Sequence, residues 1–249
     1  MRPRTIRHGL VDSTNERALK ALHEGTAQHG DVHVAEGQTS GRGRLGRRWE
    51  SPLGEGTFVT LIARPGRIPV AGCLTLAGGL AVVDVCRALG LTRAELDWPN
   101  DVVVGDAKLA GVLTESRGLD PADPAWVVGV GLNVAQRSFD DALAASRRVT
   151  SLALEGLTVD RLAVEAALID ALRARVEATL ADPTPVFDDA FRALLQGGRD
   201  VRVDVAGEVL TGRFTALTPQ RGLCLARVDG RAWVPLAHVR SVELTGPAD

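Results

Sequence analysis

Residues 41–49 (GRGRLGRRW) combine residue types that can bind an anion. This segment holds three glycines, four arginines and one tryptophan. Glycines allow positive φ angles and let backbone N–H groups approach a ligand, and guanidinium groups match the geometry of carboxylate or phosphate oxygens. Trp49 adds a flat face on which a base can stack. The composition predicts an anion-binding loop, although basic, glycine-rich segments also occur as solvated loops and nucleic-acid patches.

A second polar cluster stands before a helical segment. Ser13, Thr14 and Asn15 directly precede residues 16–22, a run of good helix formers. The pattern predicts a helix with this cluster at its N-terminus. Helix capping alone would explain the three residues. Alternatively, hydroxyl and N–H groups left free at a helix start can bind a polar group of a ligand.

Strands are predicted on both sides of the arginine-rich loop, at residues 32–36 and 57–63, so that a sheet would anchor both its ends. Residues 126–134 are predicted as a buried strand. Gly129 and Gly131 lie two apart on it and leave one face without side chains. Either another element packs against that face or a flat ligand lies there.

Trp98-Pro99-Asn100-Asp101 is a constrained segment, because the residue before proline favours extended backbone. A turn is the simplest interpretation of Asn100 and Asp101. A hairpin is predicted after it, with strands at 102–104 and 108–115. Residues 70–89 predict a central helix whose Gly78-Gly79 pair permits close packing on a sheet.

The C-terminal half changes from a helical to a strand period. Thr158 is a plausible N-cap for an amphipathic helix ending near residue 180, and residues 187–195 predict a shorter helix. Beyond 196–199, strands are predicted at 201–205, 209–214, 224–228 and 233–239. We expect a catalytic domain at 1–196 and a β-barrel domain at 197–249, with a barrel of about 45 residues.

The composition disfavours several classes of protein. Hydrophobic residues make up 45% and charged residues 24%, values typical of a folded globular protein, and the net charge of −2 disfavours a general nucleic-acid binder. The three cysteines lack the spacing of a zinc site, so no protein-bound metal is predicted and buried thiols are expected. No secretory signal follows the N-terminal positive charges, which favours a cytoplasmic protein.

Four separated motifs together resemble the biotin–protein ligases. They are DSTN at 12–15; QTSGRGRLGRRW at 38–49; WPND at 98–101 with KLAG at 108–111; and GVGLNV at 129–134. The resemblance implies an α+β fold, a mixed but mainly antiparallel sheet packed with helices (class II synthetase-like), followed by a small SH3-like β-barrel. It further implies a sheet-edge homodimer.

The implied reaction has two steps. The biotin carboxylate attacks the α-phosphate of ATP, with Mg²⁺, to give biotinyl-5′-AMP and pyrophosphate. A lysine amine of a biotin carboxyl carrier protein, such as the acetyl-CoA carboxylase subunit, then attacks this anhydride and releases AMP. Such chemistry needs positioning and charge stabilisation and no enzyme nucleophile.

The resemblance also assigns residues to the two substrates and to catalysis. The substrate-binding residues that it implies are Ser13, Thr14, Asn15, Gln38, Gly41, Arg42, Arg44, Lys108, Gly111, Leu113, Gly129 and Gly131. The nucleotide-binding residues that it implies are Arg42, Arg44, Trp49, Asn100, Lys108 and Asn133. Catalytic roles fall to Arg44, Lys108 and Asp101, with Asp101 orienting or deprotonating the acceptor lysine.

Within the substrate-binding set, Ser13, Thr14 and Gln38 would hydrogen-bond the ureido end of biotin, against a wall formed by the three glycines and Leu113. Arg42 and Arg44 would hold the biotin carboxylate and the phosphates. Trp49 would stack on or cover the adenine, and Asn133 would contact it. Arg47 and Arg48 are expected to be solvated or structural.

Two departures from the family pattern matter. Many members carry a lysine immediately before the WPND motif, where this sequence has Asp97. Bifunctional members have a winged helix-turn-helix domain ahead of the DSTN motif, and 11 residues precede Asp12 here. We therefore expect a monofunctional ligase that binds no DNA. The alternatives are a lipoate or octanoate ligase of related fold and a non-enzymatic nucleic-acid module using the basic loop.

Overall fold

The computed structural model describes residues 2–49, 52–116, 120, 122–140 and 147–246. Within this part of the chain, twelve strands form two sheets. The first sheet consists of β1 Thr5–Val11, β2 Val32–Gln38, β3 Gly56–Ala63, β4 Ala94–Asp97, β5 Asp101–Val104, β6 Ala107–Glu115 and β7 Trp126–Asn133. The second consists of β8 Asp200–Val205, β9 Glu208–Thr218, β10 Gly222–Arg227, β11 Gly230–Val234 and β12 Val239–Leu244.

The first sheet has the order β1-β2-β3-β7-β6-β5-β4. β1 pairs with β2 in parallel, and the other described neighbours are antiparallel. β3 and β7 lie at its centre, where every β3 residue is buried, because both faces are covered. The predicted mixed, mainly antiparallel sheet is confirmed.

Helices cover the two faces of this sheet. They are α1 Thr14–His23, α2 Cys73–Ala88, α3 Arg161–Ala181 and α4 Thr184–Ala193. The apolar stripe of α1 packs against Ile62 and Val127, whereas α2 faces Val112 and Val128. Because neighbouring strand residues point to opposite faces, α1 and α2 lie on opposite sides of the sheet.

The Gly78-Gly79 pair permits the close packing of α2 that the sequence predicted. A Cβ on Gly78 would lie 2.9 Å from Val112 Cγ1, and one on Gly79 would lie 2.7 Å from Leu96 Cδ2. The three cysteines are buried free thiols, as expected. Burial raises the pKa of Cys73 to about 11, so this thiol is inert at neutral pH.

Three local predictions were wrong. Asp160, not Thr158, caps α3, and its carboxylate accepts a hydrogen bond of 3.0 Å from the Leu162 N–H. α4 begins at Thr184 rather than at residue 187, because Pro185 is tolerated in a first turn whose N–H groups need no helical partner. Residues 233–239 do not form one strand, since Pro235 separates β11 from a 3-10 turn and β12.

Two strands were missed. β1 carries polar and charged residues on a sheet edge, and its burial pattern does not alternate regularly. β4 has only four residues. Neither gives the period-two signal on which strand prediction depends.

The second sheet is antiparallel, with the order β11-β10-β9-β8-β12. Its buried side chains, such as Phe214 and Leu223, belong to the same apolar cluster as α2 and α4. Gln196 links the two parts, because its amide donates to Asp97 Oδ1 at 2.6 Å and lies 3.5 Å from the Val242 carbonyl. The two sheets therefore share one continuous core. No helix in the described part of the chain is long and apolar enough to span a membrane.

Candidate functional site

A floor without side chains lies on the face of the sheet that α1 covers. Gly111 is paired with Gly131 across β6 and β7, and Leu113 is paired with Gly129. These residues share a face because strand side chains alternate. We call Gly111, Gly129 and Gly131 the glycine floor.

A cluster of neutral polar groups borders Gly129. Gln38 Oε1 accepts hydrogen bonds from the Thr14 N–H (2.8 Å) and the Thr14 hydroxyl (3.2 Å). The Thr60 hydroxyl lies 2.8 Å from Thr14 Oγ1 and donates to Asn15 Oδ1 at 2.7 Å. We call Thr14, Asn15, Gln38 and Thr60 the threonine end of the floor. Thr14, Asn15 and Thr60 are buried, and Gln38 is half-buried.

Asn15 lies directly on the floor. A Cβ on Gly129 would be 2.1 Å from Asn15 Oδ1, so an alanine there would displace this amide. The Asn15 amide donates to the Leu113 carbonyl at 3.2 Å and to Glu115 Oε2 at 2.9 Å. Ser13 is the N-cap residue of α1, but its hydroxyl caps no helix N–H. The capping explanation for this serine is therefore wrong.

The arginine-rich loop forms a small hairpin between β2 and β3. The Trp49 N–H donates to the Gly41 carbonyl at 2.9 Å, and the Gly43 N–H donates to the Arg47 carbonyl at 2.7 Å. Of the three loop glycines, Gly46 alone has a positive φ, 75°. Gly41 is required for close approach instead, since a Cβ there would lie 2.5 Å from the Trp49 carbonyl oxygen.

Arg42 and Arg44 point to different partners. Arg42 forms ion pairs with Glu16 of α1 and with Glu115 of β6, the latter at 3.3 Å. Its Nε is buried and has no hydrogen-bond partner among the described residues. Arg44 donates to Asn100 Oδ1 at 3.3 Å. The two side chains thus lie at separate places along the loop.

Trp49 covers the part of the floor that Asn15 leaves free. A Cβ on Gly131 would lie 2.6 Å from Trp49 Cε2, and one on Gly111 would lie 2.9 Å from Trp49 Cζ3. The Lys108 ammonium lies 5.2 Å from the ring centroid, within cation–π range. Trp49 Nε1 is buried and finds no acceptor in the described residues. Such a buried donor calls for a partner.

At the other end of the floor, four charged residues form ion pairs with one another. We call Lys108, Asp101, Arg147 and Asp97 the lysine end. Lys108 Nζ lies 2.7 Å from Asp101 Oδ1, and Arg147 pairs with Asp101 Oδ2. Arg147 also lies 3.2 Å from Asp97. Burial lowers the pKa of the Lys108 ammonium, and the Asp101 carboxylate opposes this effect. Burial raises the pKa of Asp97, which hydrogen bonds from Gln196 and Arg147 partly offset.

The two asparagines expected near the nucleotide bond to the protein. The Asn133 amide donates to the Thr150 carbonyl at 2.9 Å and accepts from Gln136 at 3.2 Å. The Asn100 amide donates to the Val112 carbonyl at 2.9 Å. Both side chains are therefore held in fixed orientations.

Most of the predicted site residues lie around the glycine floor, although they come from separate segments. Arg44 and Asn100 line a cavity that also includes residues of α2. Sequence reasoning missed Thr60, Glu115 and Arg147. Thr60 could have been found as a polar residue within a buried apolar strand. Arg147 carries no local signal, because its partners Asp97 and Asp101 are about 50 residues away in the sequence.

Two cavities lie in the described part of the structure, and one of them adjoins this site. One of about 230 Å³ adjoins it and is lined by Arg44, Asn100 and Leu236, among others. Another of about 530 Å³ lies between α2 and α3, among mainly apolar side chains. The second is larger but holds none of the predicted site residues, so cavity size alone does not locate the chemistry.

Comparison with known proteins gives the family. A profile of the biotin/lipoate A/B protein ligase family matches residues 9–133, about half of the chain. The biotin–[acetyl-CoA-carboxylase] ligase of Mycobacterium tuberculosis is 37% identical over 230 residues, which are 89% of this chain and 82% of that protein. The chain belongs to this family. The matched range contains the predicted site residues from Ser13 to Asn133.

Other members of this family align over different lengths. The bifunctional ligase/repressor BirA of Escherichia coli is 36% identical over 169 residues, and this match spans 68% of the chain but about half (52%) of that protein. The solved structure of the biotin protein ligase from Aquifex aeolicus in complex with biotin and ATP is 26% identical. It superposes with a TM-score of 0.81 over 97% of this chain and 99% of that one.

Proposed function

We propose that this protein is a biotin–protein ligase, which activates biotin as biotinyl-5′-AMP and transfers it to a lysine of a biotin carboxyl carrier protein. One observation carries the proposal: the glycine floor joins a neutral hydrogen-bonding end to a cationic end. Biotin has a matching order of groups: a neutral polar ureido group, flat rings, and a carboxylate that reacts with a phosphate of ATP. The names of the aligned relatives support biotin over lipoate.

The threonine end would receive the ureido group of biotin. Ser13, Thr14 and Gln38 lie together at the start of α1, where the positive end of the helix dipole favours an acceptor oxygen. The biotin rings would lie along Gly129, Leu113 and the rest of the floor. Asn15 stands against Gly129 and would fix the position of the rings.

The lysine end would receive the phosphates. Lys108 would neutralise charge that develops on the α-phosphate, and Arg44 would hold the phosphates from the loop, beside Asn100. Arg42 would hold the biotin carboxylate after leaving Glu16 or Glu115. A preorganised cation acts strongly in a site from which water is excluded.

Trp49 would cover the adenine. Its ring lies on Gly111 and Gly131, and nucleotide binding would require it to lift from the floor. Asn133 would supply an adenine contact from the end of β7. Trp49 Nε1 and Arg42 Nε are buried and have no hydrogen-bond partner among the described residues, which supports a site made for ligands that carry many acceptors.

Asp101 would act in the second step. The acceptor lysine must lose a proton before it can attack, and Asp101 is the carboxylate nearest to Lys108. Its two oxygens form ion pairs with Lys108 and Arg147, so a cation must leave before the incoming ammonium can take its place.

Mg²⁺ would arrive with ATP. The described residues contain no group of three or more histidine, cysteine, aspartate or glutamate side chains that could hold a metal. Mg²⁺ commonly keeps several waters and binds through substrate phosphates rather than in an all-protein cage. Mg²⁺ would therefore be part of the nucleotide substrate.

Two further expectations belong to this proposal. The second sheet would form the small SH3-like domain, with the catalytic domain ending at residue 196. The protein would assemble as a homodimer through a sheet edge, which sedimentation velocity over a concentration series would test. A single species at the mass of one chain at all concentrations would exclude this dimer.

The function is tested by incubating the purified protein with ATP, Mg²⁺ and a biotin carboxyl carrier domain, with biotin in one sample and lipoate in another. We expect the intact mass of the carrier to rise by one biotinyl group, and only with biotin. A gain with lipoate alone would contradict the proposal. Binding to mixed DNA or RNA with a steep salt dependence, and no carrier modification, would favour the nucleic-acid alternative.

A further inference from the structure

Asp101 shares its carboxylate between two cations, and only one of them belongs to the matched family range. Lys108, on the neighbouring strand β6, forms an ion pair with Oδ1. Arg147 bonds Oδ2 from a segment beyond residues 9–133. The Asp101 side chain is 12% exposed, so its charge depends on these partners for compensation.

Asp97 brings a second negative charge to the same place. It is the cross-strand partner of Asp101, in the register of β4 and β5. Two carboxylates directly opposite each other on an antiparallel pair repel. Arg147 lies between them and bonds both, so it offsets this repulsion. Asp97 is in turn held by the Gln196 amide at 2.6 Å.

The proposed function requires Lys108 to leave Asp101. An ammonium that neutralises the α-phosphate cannot keep its ion pair unchanged. Without a second cation, its departure would leave a mostly buried carboxylate unpaired, and removing one partner of a buried pair is strongly destabilising. Arg147 remains on the other oxygen and reduces this cost.

The backbone couples the two cations as well. The Lys108 N–H donates to the Arg148 carbonyl at 2.9 Å, and the Thr150 N–H donates to the Lys108 carbonyl at 2.8 Å. The segment that carries Arg147 is thus clamped to the strand that carries Lys108. Arg147 is not placed at Asp101 by its long side chain alone.

We propose that Arg147 is a positioning residue for the first step: it holds Asp101 as a paired carboxylate so that Lys108 can move to the nucleotide. The proposal rests on the proposed function for its kinetic part. Its electrostatic part concerns Lys108 and Asp101 in the absence of any ligand. The two parts can be tested separately.

The electrostatic test uses the unusual lysine content of the chain, which has two lysines, Lys20 and Lys108. Reductive methylation with ¹³C-formaldehyde labels both side chains and the N-terminal amine, and NMR titration follows each signal. In Arg147→Met, the repulsion between Arg147 and Lys108 is gone and Asp101 has Lys108 as its cation. We expect the pKa of Lys108 to rise and that of Lys20 to stay unchanged.

Arg148→Met is the matched control, because Arg148 is adjacent, 74% exposed and paired with Asp106 away from the site. It should leave the titration of Lys108 unchanged. Arg147→Lys should restore most of the wild-type value. If Arg147→Met does not fold, Asp97→Asn removes a negative charge near Lys108 and leaves Arg147 with Asp101 as its carboxylate, so the pKa of Lys108 should fall instead.

The kinetic test measures biotin-dependent ATP–pyrophosphate exchange. We expect Arg147→Met to raise the KM for ATP about tenfold, the equivalent of roughly 1.4 kcal/mol, because Lys108 is held more tightly by Asp101. The dissociation constant for biotin should not change, and Arg147→Lys should recover the KM. A merely structural role would lower thermal stability and affect both substrates alike.

The outcomes separate the claims. An unchanged Lys108 pKa in folded Arg147→Met, or the same shift in Arg148→Met, would overturn the role of Arg147 whatever the enzyme does. A wild-type protein without biotin-dependent exchange would overturn the proposed function and leave the titration to decide the electrostatic part. A pKa shift with an unchanged KM for ATP would overturn the kinetic part.

Discussion

The threonine end and the lysine end of the glycine floor hold their polar groups in different ways. At the threonine end, neutral hydrogen bonds join Thr14, Asn15, Gln38 and Thr60. Three of these residues, Thr14, Asn15 and Thr60, are buried. At the lysine end, Lys108 and Arg147 are bound to carboxylates of the same chain. A ligand can join the first network, but it must compete with resident charges at the second.

This difference indicates which end of the glycine floor must rearrange when a ligand binds. Neutral networks keep their geometry when a ligand adds one more hydrogen bond, because no buried charge is left alone. Ion pairs must exchange partners, and Trp49 must leave the glycines that it covers. We therefore expect the ureido group of biotin to join a formed network, whereas the biotin rings and ATP bind after the side chains that cover the floor have moved.

Removing the central cation breaks the lysine end. We expect Lys108→Ala to lower the rate of biotin-dependent ATP–pyrophosphate exchange by about 10²–10³, the usual loss for one charge-stabilising donor. Lys20→Ala is the matched control, since Lys20 is an exposed lysine paired only loosely with Glu24, at 3.7 Å. A Lys108→Ala variant that exchanges at nearly the wild-type rate would show that the lysine end does not serve the phosphates.

His33 is a buried titratable group outside the site, and it stays neutral near pH 7. Burial, with a contribution from His8, lowers its pKa to about 4. Its unfolded pKa is near 6.5, so between about pH 6.5 and 4 the unfolded state binds more protons and stability falls as the pH falls. The contribution lost across this window is up to about 3 kcal/mol.

Urea unfolding at pH 7 and pH 4.5 measures this effect. We expect His33→Leu to lose most of the difference between the two pH values. His8 lies 3.1 Å from His33 and has a lowered pKa of its own, so a small difference should remain. Identical pH dependence in the wild type and the variant would contradict the assignment to His33.

Trp49→Ala tests the cover over the floor. We expect ATP affinity to fall about tenfold, since stacking of one base on an aromatic side chain contributes roughly 1–3 kcal/mol. Biotin affinity, measured by calorimetry without nucleotide, should change less. Equal losses for both ligands would show that Trp49 organises the whole floor rather than the nucleotide end.

Thr60→Val tests the neutral hydrogen-bond network at the threonine end. The variant removes the hydroxyl that bonds Asn15 and Thr14, and we expect biotin to bind about tenfold more weakly, as a lost buried hydrogen bond costs roughly 1–3 kcal/mol. Thr57→Val is a matched control on the same strand, because the buried Thr57 hydroxyl has no partner among the described residues. Weaker binding in both variants would point to a general disturbance of β3.

The sequence predicted the parts of the site that depend on local pattern. The alternation of β7 indicated a bare face at Gly129 and Gly131, and residues 32–36 and 57–63 indicated the strands that hold the loop. It did not predict that Trp49 and Asn15 would cover the bare face. Those contacts depend on the register of β6 against β7 and on the position of α1, which single-sequence patterns do not specify.

Charge partners were the least predictable feature. Arg42 and Arg44 are two residues apart and were expected to act together, but they bond Glu115 and Asn100 at distant points of the fold. Arg147 reaches Asp97 and Asp101 because its segment is hydrogen-bonded to β6 at Lys108, next to β5 and β4 in the sheet. No spacing rule links residues so far apart in sequence.

Native mass spectrometry of the purified protein after incubation with biotin, ATP and Mg²⁺ tests the central claim most directly. We expect one biotinyl-5′-AMP bound per chain and an equal amount of pyrophosphate in solution, with both absent in Lys108→Ala. Biotin and ATP retained together without pyrophosphate release, or a lipoyl adenylate formed in preference, would contradict it.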